Sequence, residues 1–184
     1  MKIFKILITG PYNSGKTTFI KTICSNALTT DKKVSSDELV KSSTTVALDF
    51  GLIEIGGYRV RLFGTPGQSR FHFMWRALSI GMDGYVFMVD SSDPMSFNEA
   101  LHIYMFFRSM HPYTSHVVAA NKYDKENKLS IDTIRSALKI PEHIPIYPTV
   151  AYNRENVVKV LEALIELIQS SSIIIKYKDS KKSV

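Results

Sequence analysis

Cysteine occurs only once in the 184 residues, at Cys24. No internal disulfide can form, and a reducing, cytoplasmic compartment is the expectation. Phe19, Ile20 and Ile23 surround that cysteine in sequence, so the thiol is expected to pack as a small hydrophobe on a buried helix face. No run approaches the roughly 20 apolar residues of a membrane-spanning helix. The opening MKIFKILITG carries charge within its apolar run and leads into a glycine loop, which argues against a cleaved leader. Glycine does not follow Met1 and no cysteine lies near the C-terminus, so myristoyl and prenyl signals are not expected. Internal repeats are lacking too. The formal charge is +6, yet the lysines are scattered and no basic stripe interleaves with aromatics. No nucleic-acid partner is expected. Lys176, Lys178, Lys181 and Lys182 form a modest cluster. At roughly 1 kcal/mol per lysine near an anionic surface, they could support only weak peripheral membrane contact.

What is present describes one globular domain. Hydrophobic residues make up 45% and charged residues 22%, enough apolar surface for a single sizeable core. The expected division is a main domain over 1–170 and a basic tail over 171–184. Strands are expected at Ile3–Thr9, Val46–Ile55, Tyr58–Phe63, Tyr85–Asp90, His116–Ala120 and Ile144–Val150. Gly56 and Gly57 between the second and third mark a hairpin. Helices are expected at Lys16–Cys24, Met95–Ser109, Ile131–Leu138 and Glu155–Gln169, the last with Val157, Val160, Leu161, Leu164, Leu167 and Ile168 on one face. Ser25–Ser43 is polar and without period, and reads as a loop. Strands separated by helices imply an α/β, three-layer fold. Its sheet is expected to be six-stranded and mostly parallel, with one antiparallel edge strand from the hairpin.

GPYNSGKT, Gly10 to Thr17, satisfies G-x-x-x-x-G-K-[ST], the phosphate loop of P-loop NTPases. Gly10 and Gly15 let the backbone amides of the loop, including those of Asn13 and Ser14, converge on phosphates. The following helix, entered through Thr17 and Thr18, presents its positive end. Lys16 reaches the outer phosphates and Thr17 offers an oxygen to magnesium. A chance match is expected on the order of once in a hundred chains of this length, and here the motif also follows a strand and opens a helix. The loop does not by itself choose between small-molecule kinase, ATPase and GTPase.

NKYD, residues 121–124, follows the expected strand His116–Ala120. The Asp124 carboxylate can accept two hydrogen bonds from guanine, whereas adenine has no such donor pair on that edge and leaves the acceptor unpaired. Asn121 can tie the base loop to the phosphate loop, and the Lys122 stem can cover the base plane. The alternative is a polar turn after a strand. The position, about a hundred residues beyond a phosphate loop, favours GTP/GDP.

From Ile3 to about Gln169 the chain resembles the Ras-like small GTPases, with the motifs in that family's order. TTVALDF (Thr44–Phe50) is similar to the first switch, which implies that Thr45 senses the γ-phosphate and ligates Mg2+. GTPGQSRF resembles the second switch, implying Gly67 as the phosphate-sensing amide and Gln68 as the residue that orients the attacking water. PTVAYNRENV looks like the last base-contact loop, which places Ala151 and Tyr152 at the guanine. The usual serine and lysine are replaced there by Val150 and Tyr152. TTVALDFG with LFGTPGQSRFHFMW looks most like a prokaryotic branch related to the signal-recognition-particle receptor β subunit and to MglA-type GTPases. That implies a cytoplasmic switch acting with an activating or roadblock-type protein and an effector.

Two residues depart from that pattern. The second switch normally carries an acidic residue where this chain has Gly64, and Asp49 is the candidate replacement as a magnesium-shell carboxylate. A hairpin surface carboxylate is the alternative. Tyr12 stands where many relatives have glycine, either crowding Gln68 or pointing outward. Arg70 and Arg76 could act as cis arginine fingers or make structural contacts. RFHFMW (Arg70–Trp75) reads as a partner surface or as helix packing, and Ile173–Ile175 as an extension of the last helix or a docking segment. Three functional readings remain: a hydrolysing GTP switch, a non-hydrolysing GTP-loaded scaffold, and a small-molecule phosphotransferase. NKYD and the Thr45 segment argue against the last.

Overall fold

Apolar runs on Ile3–Thr9 (β1), Gly84–Asp90 (β5) and Ser115–Asn121 (β6) become the central parallel strands; every residue of β5 is buried. The computed structural model describes residues 2–24, 28–29 and 49–182, with 28–29 and 172–182 described by backbone alone. Asp49–Ile55 (β3) and Tyr58–Gly64 (β4) form the expected hairpin, turning at Gly56 and Gly57 with φ of 55° and 78°. Both glycines sit in the left-handed region that a tight two-residue turn requires. Ile146–Pro148 (β7) completes the expected six strands.

A two-residue seventh strand, Leu28–Thr29 (β2), pairs antiparallel with β3, giving the order β2-β3-β4-β1-β5-β6-β7. The antiparallel hairpin strand is therefore one place in from the edge. So short a strand carries too little pattern to be read from sequence.

Lys16–Ile23 (α1) and Arg154–Lys182 (α5) cover one face of the sheet; His72–Ser79 (α2), Phe97–Met110 (α3) and Ile131–Ala137 (α4) cover the other. One core gathers Phe4, Ile6, Ile8, Ile20 and Leu62 with Val157, Leu161 and Leu164 of α5. The opposite core gathers Leu7, Tyr85, Phe87 and Val89 with Trp75, Ile103 and Phe107. Cys24 belongs to the first core, as expected, and burial pushes its thiol up to about 11. Ser130 caps α4 by accepting from the Thr133 amide at 3.1 Å. The backbone of α5 runs past Gln169 to Lys182, so the segment holding Ile173–Ile175 continues that helix. No helix among the described residues is long and apolar enough to cross a membrane.

This topology leaves the C-terminal ends of β1, β5, β6 and β7 at one end of the sheet. In open α/β sheets that end, where strand order reverses about β1, is where ligands bind.

Candidate nucleotide site

Gly10 to Thr17 bends from β1 into α1, and the glycines are there for contact reasons. A Cβ on Gly10, at φ 140°, would lie 2.0 Å from the Met88 carbonyl oxygen. One on Gly15, at φ 99°, would lie 2.1 Å from Asn121 Nδ2. Asn13 also takes a left-handed φ of 61°, which asparagine tolerates better than most residues. The start of α1 at Gly15 has no side-chain cap and no acid in its first turn, so its positive end meets the loop uncompensated.

Lys16 lies beneath this loop, 8% exposed, and donates from Nζ to the carbonyls of Gly10 (2.9 Å) and Pro11 (2.6 Å). Burial lowers its ammonium to about 8, against the opposing pull of Asp49. Thr17 Oγ1 donates to Asp49 Oδ2 at 2.5 Å. Asp49 is buried at the start of β3, and its ladder partner is Gly64. A Cβ on Gly64 would lie 2.9 Å from Asp49 Cβ and 3.1 Å from Oδ2. Asp49 thus fills the space that a side chain at position 64 would need. The donor set of Thr17 and Asp49 is oxygen only, with a single carboxylate, the kind of site at which magnesium keeps several waters. Thr45, the remaining expected ligand, lies outside the described residues, as does Val46.

The second switch leaves β4 at Thr65, whose amide donates to Ile8 O at 3.0 Å and whose hydroxyl donates to Thr9 Oγ1 at 2.9 Å. Gly67 presses on the phosphate loop. A Cβ there would come within 2.5 Å of the Tyr12 amide and 2.7 Å of Lys16 Nζ. Gln68 follows, half-buried, at the start of a short turn over Ser69–Phe71. Tyr12 itself is 68% exposed and points outward. RFHFMW divides between its two readings: Trp75 is fully buried and donates from Nε1 to Pro66 O at 2.8 Å, whereas Phe73 is 58% exposed. Arg70 is exposed and lies over the Phe71 ring, and Arg76 is exposed as well.

Asn121 joins the loops. Its Nδ2 donates to Ser14 O at 2.8 Å, and its Oδ1 accepts the Ala151 amide at 2.8 Å. Lys122, at φ 59°, donates to Asp90 Oδ2 at 2.5 Å, and Ser92 donates to Asp90 Oδ1 from its amide and its hydroxyl. Burial acts to raise the Asp90 carboxyl, but the bonds from Lys122 and Ser92 outweigh it and hold the group below its usual range. Asp124 stands exposed at the rim, where its Oδ2 accepts from the Tyr152 hydroxyl at 2.6 Å.

Sequence reading missed Asp90, the anchoring role of Trp75, and the Tyr152–Asp124 pair. Asp90 left a trace: an acid ending a buried strand, opposite Asn121 in the β5–β6 register. The other two are long-range contacts with no local signature. A cavity of about 210 Å³ beside Arg108, His116 and His143 lies at the other end of the sheet and holds none of these motifs.

Comparisons with known proteins place the chain in a family. The family model described as "Arf: ADP-ribosylation factor family" matches residues 1–168. The chain is 30% identical over 134 residues to ADP-ribosylation factor-related protein 1 of Rattus norvegicus, covering 72% of this chain and 65% of that protein. It therefore spans just under two thirds of that relative's length. It is 30% identical to the mutual gliding-motility protein MglA of Myxococcus xanthus over 178 residues, 89% of each chain. It is also 27% identical to ADP-ribosylation factor-like protein 3 of Saccharomyces cerevisiae over 172 residues, 88% of this chain and 84% of the other. The expected relation to MglA-type GTPases is among these matches. The chain belongs to the ADP-ribosylation factor family, within the Ras-like small GTPase superfamily.

Proposed function

We propose that this protein binds GTP and GDP, hydrolyses GTP slowly, and signals its nucleotide state to a protein partner through its switch segments. The observation that carries the reading is the Asn121 clamp, which ties Ser14 of the phosphate loop and Ala151 of the last base loop to the NKYD segment. Phosphate and base elements are thereby held in one register.

In this reading the amides of Asn13 to Thr18 and the Lys16 ammonium receive the phosphates. Lys16 exchanges its carbonyl partners for phosphate oxygens, which suits a buried ammonium better. Thr17 and Asp49, with Thr45, hold the metal and its waters. Bound magnesium supplies charge neutralisation at the outer phosphates. Gln68 orients water for in-line attack on the γ-phosphate, and the Gly67 amide senses that group. Asp124, Lys122, Ala151 and Tyr152 hold the guanine. Ras without an activator hydrolyses GTP at a rate on the order of 10⁻⁴ s⁻¹, and an arginine finger adds roughly 10³ to 10⁵-fold, which sets the expected scale.

The proposed partners are an activating protein, a roadblock-type protein in keeping with the MglA relation, and an effector reading the second switch around Phe73. A cytoplasmic site of action fits the single buried thiol of Cys24. The basic residues after 170 are proposed to give at most weak peripheral membrane contact.

The test is phosphate release from GTP by the purified chain with magnesium, with and without cell extract. Slow release that extract accelerates supports the switch. Retained GTP with no release under either condition supports a loaded scaffold instead.

A further inference from the structure

We propose that Tyr152 is a positioning residue for base recognition, its hydroxyl holding the Asp124 carboxylate in the orientation that accepts guanine. This rests on the guanine-nucleotide reading above. Asp124 and Tyr152 are both exposed, Tyr152 by 68%, so packing does not select the carboxylate rotamer. The 2.6 Å bond from Tyr152 is the only side-chain hydrogen bond to Asp124 among the described residues, and it spans 28 positions of sequence.

The tyrosine is carried on a braced loop. The Ala151 amide donates to Asn121 Oδ1 at 2.8 Å, the Val150 amide to Asn156 Oδ1 at 3.0 Å, and the Asn153 amide to Val150 O at 2.8 Å. Asn121 itself binds the phosphate loop through Ser14, so the hydroxyl and the phosphate site share one frame.

Accepting from tyrosine does not consume the carboxylate. Its two oxygens offer about four lone-pair sites, and guanine needs two. The Tyr152 bond, with the Asp124 backbone amide and the nearby charges of Lys125 and Lys128, holds the Asp124 carboxyl below its usual range, so the tyrosine donor is compatible with an ionised acceptor. A lysine, which the resemblance leads one to expect at this position, would present a mobile ammonium. Tyrosine places its donor on a rigid ring with two side-chain torsions.

The test uses the full chain and fluorescent GDP and ADP, titrated against wild type, Tyr152→Phe, Tyr152→Ala and Asp124→Asn. Both Tyr152 variants are expected to weaken GDP binding about threefold to tenfold, mainly through faster release, while the weak ADP affinity stays within about twofold. Asp124→Asn should lose the preference for GDP. Equal GDP affinity in wild type and Tyr152→Phe overturns the proposal and leaves the guanine reading standing. So does a loss in Tyr152→Ala that Tyr152→Phe does not share, because the ring and not the hydroxyl would then matter. Parallel losses for GDP and ADP also overturn it, as a general loosening of the loop. A wild-type chain with no preference for GDP over ADP removes the guanine reading and this proposal together.

Discussion

Asp49 and Gly64 face each other across the β3–β4 ladder, and the space above Gly64 is occupied by the Asp49 carboxylate, which also accepts the Thr17 hydroxyl at 2.5 Å. The two positions therefore cannot both carry a side chain without a shift. A glycine in the second switch and an aspartate on the neighbouring strand are one arrangement.

Restoring an acid at position 64 should consequently harm the protein. Gly64→Asp is expected to lower stability by about 1–3 kcal/mol, the usual cost of overpacking, with like-charge repulsion added. The reciprocal double variant Asp49→Gly with Gly64→Asp should recover most of that loss. Thermal melts of the wild type, Gly64→Asp, Asp49→Gly and the double variant measure it. Additive losses in the double variant would show that the positions are independent.

Trp75 offers a built-in reporter. It is the only tryptophan in the chain, fully buried against Phe106 and Phe107, and its indole N–H holds Pro66 O directly before Gly67. Movement of Gly67 on nucleotide exchange should change its fluorescence. Trp75→Phe should cost about 1–3 kcal/mol through the vacated volume and the stranded carbonyl. Identical emission with GDP and with a non-hydrolysable GTP analogue would argue that the second switch does not move.

Acid sensitivity should trace to His116. Its ring stacks on Tyr85 at 4.5 Å between centroids, and its two nitrogens contact Tyr104 Oη and Thr114 O. Burial, with smaller contributions from Arg108 and His143, lowers its pKa to about 4. The unfolded chain binds this proton near pH 6.5 and the folded chain only near 4, so stability is lost as pH falls across that window. Its size is about 3 kcal/mol at most. Denaturant titrations from pH 7 to 4 should show the decline, and His116→Phe should flatten it. An unchanged slope in that variant would place the sensitivity elsewhere.

The legible part of the site is the part that chemistry confines to short spacings. GPYNSGKT and NKYD announce themselves because backbone amides, lysine and carboxylate must stand at fixed local intervals to meet phosphate and base. The central strands are legible for a similar reason: β5 is buried on both faces and reads as one apolar run. Contacts set by tertiary approach are not. The sequence suggests the Lys122 stem as a cover for the base plane, but it gives no sign that the ammonium is anchored on Asp90, 32 residues away. Phe73 and Trp75 sit two apart on one short helix, and only the packing of α2 on the sheet separates the exposed ring from the buried one. Asp49 is legible as a candidate because the hairpin turn at Gly56 and Gly57 determines which residue faces Gly64.

The magnesium dependence of GTP affinity, compared between wild type and Asp49→Asn, decides whether Asp49 stands in for the missing second-switch acid. With Asp49 serving the metal's water shell, affinity in the wild type rises with magnesium, and the variant loses about tenfold to a hundredfold of that gain, the usual range for an outer-shell partner. Equal magnesium curves in the two proteins would contradict it.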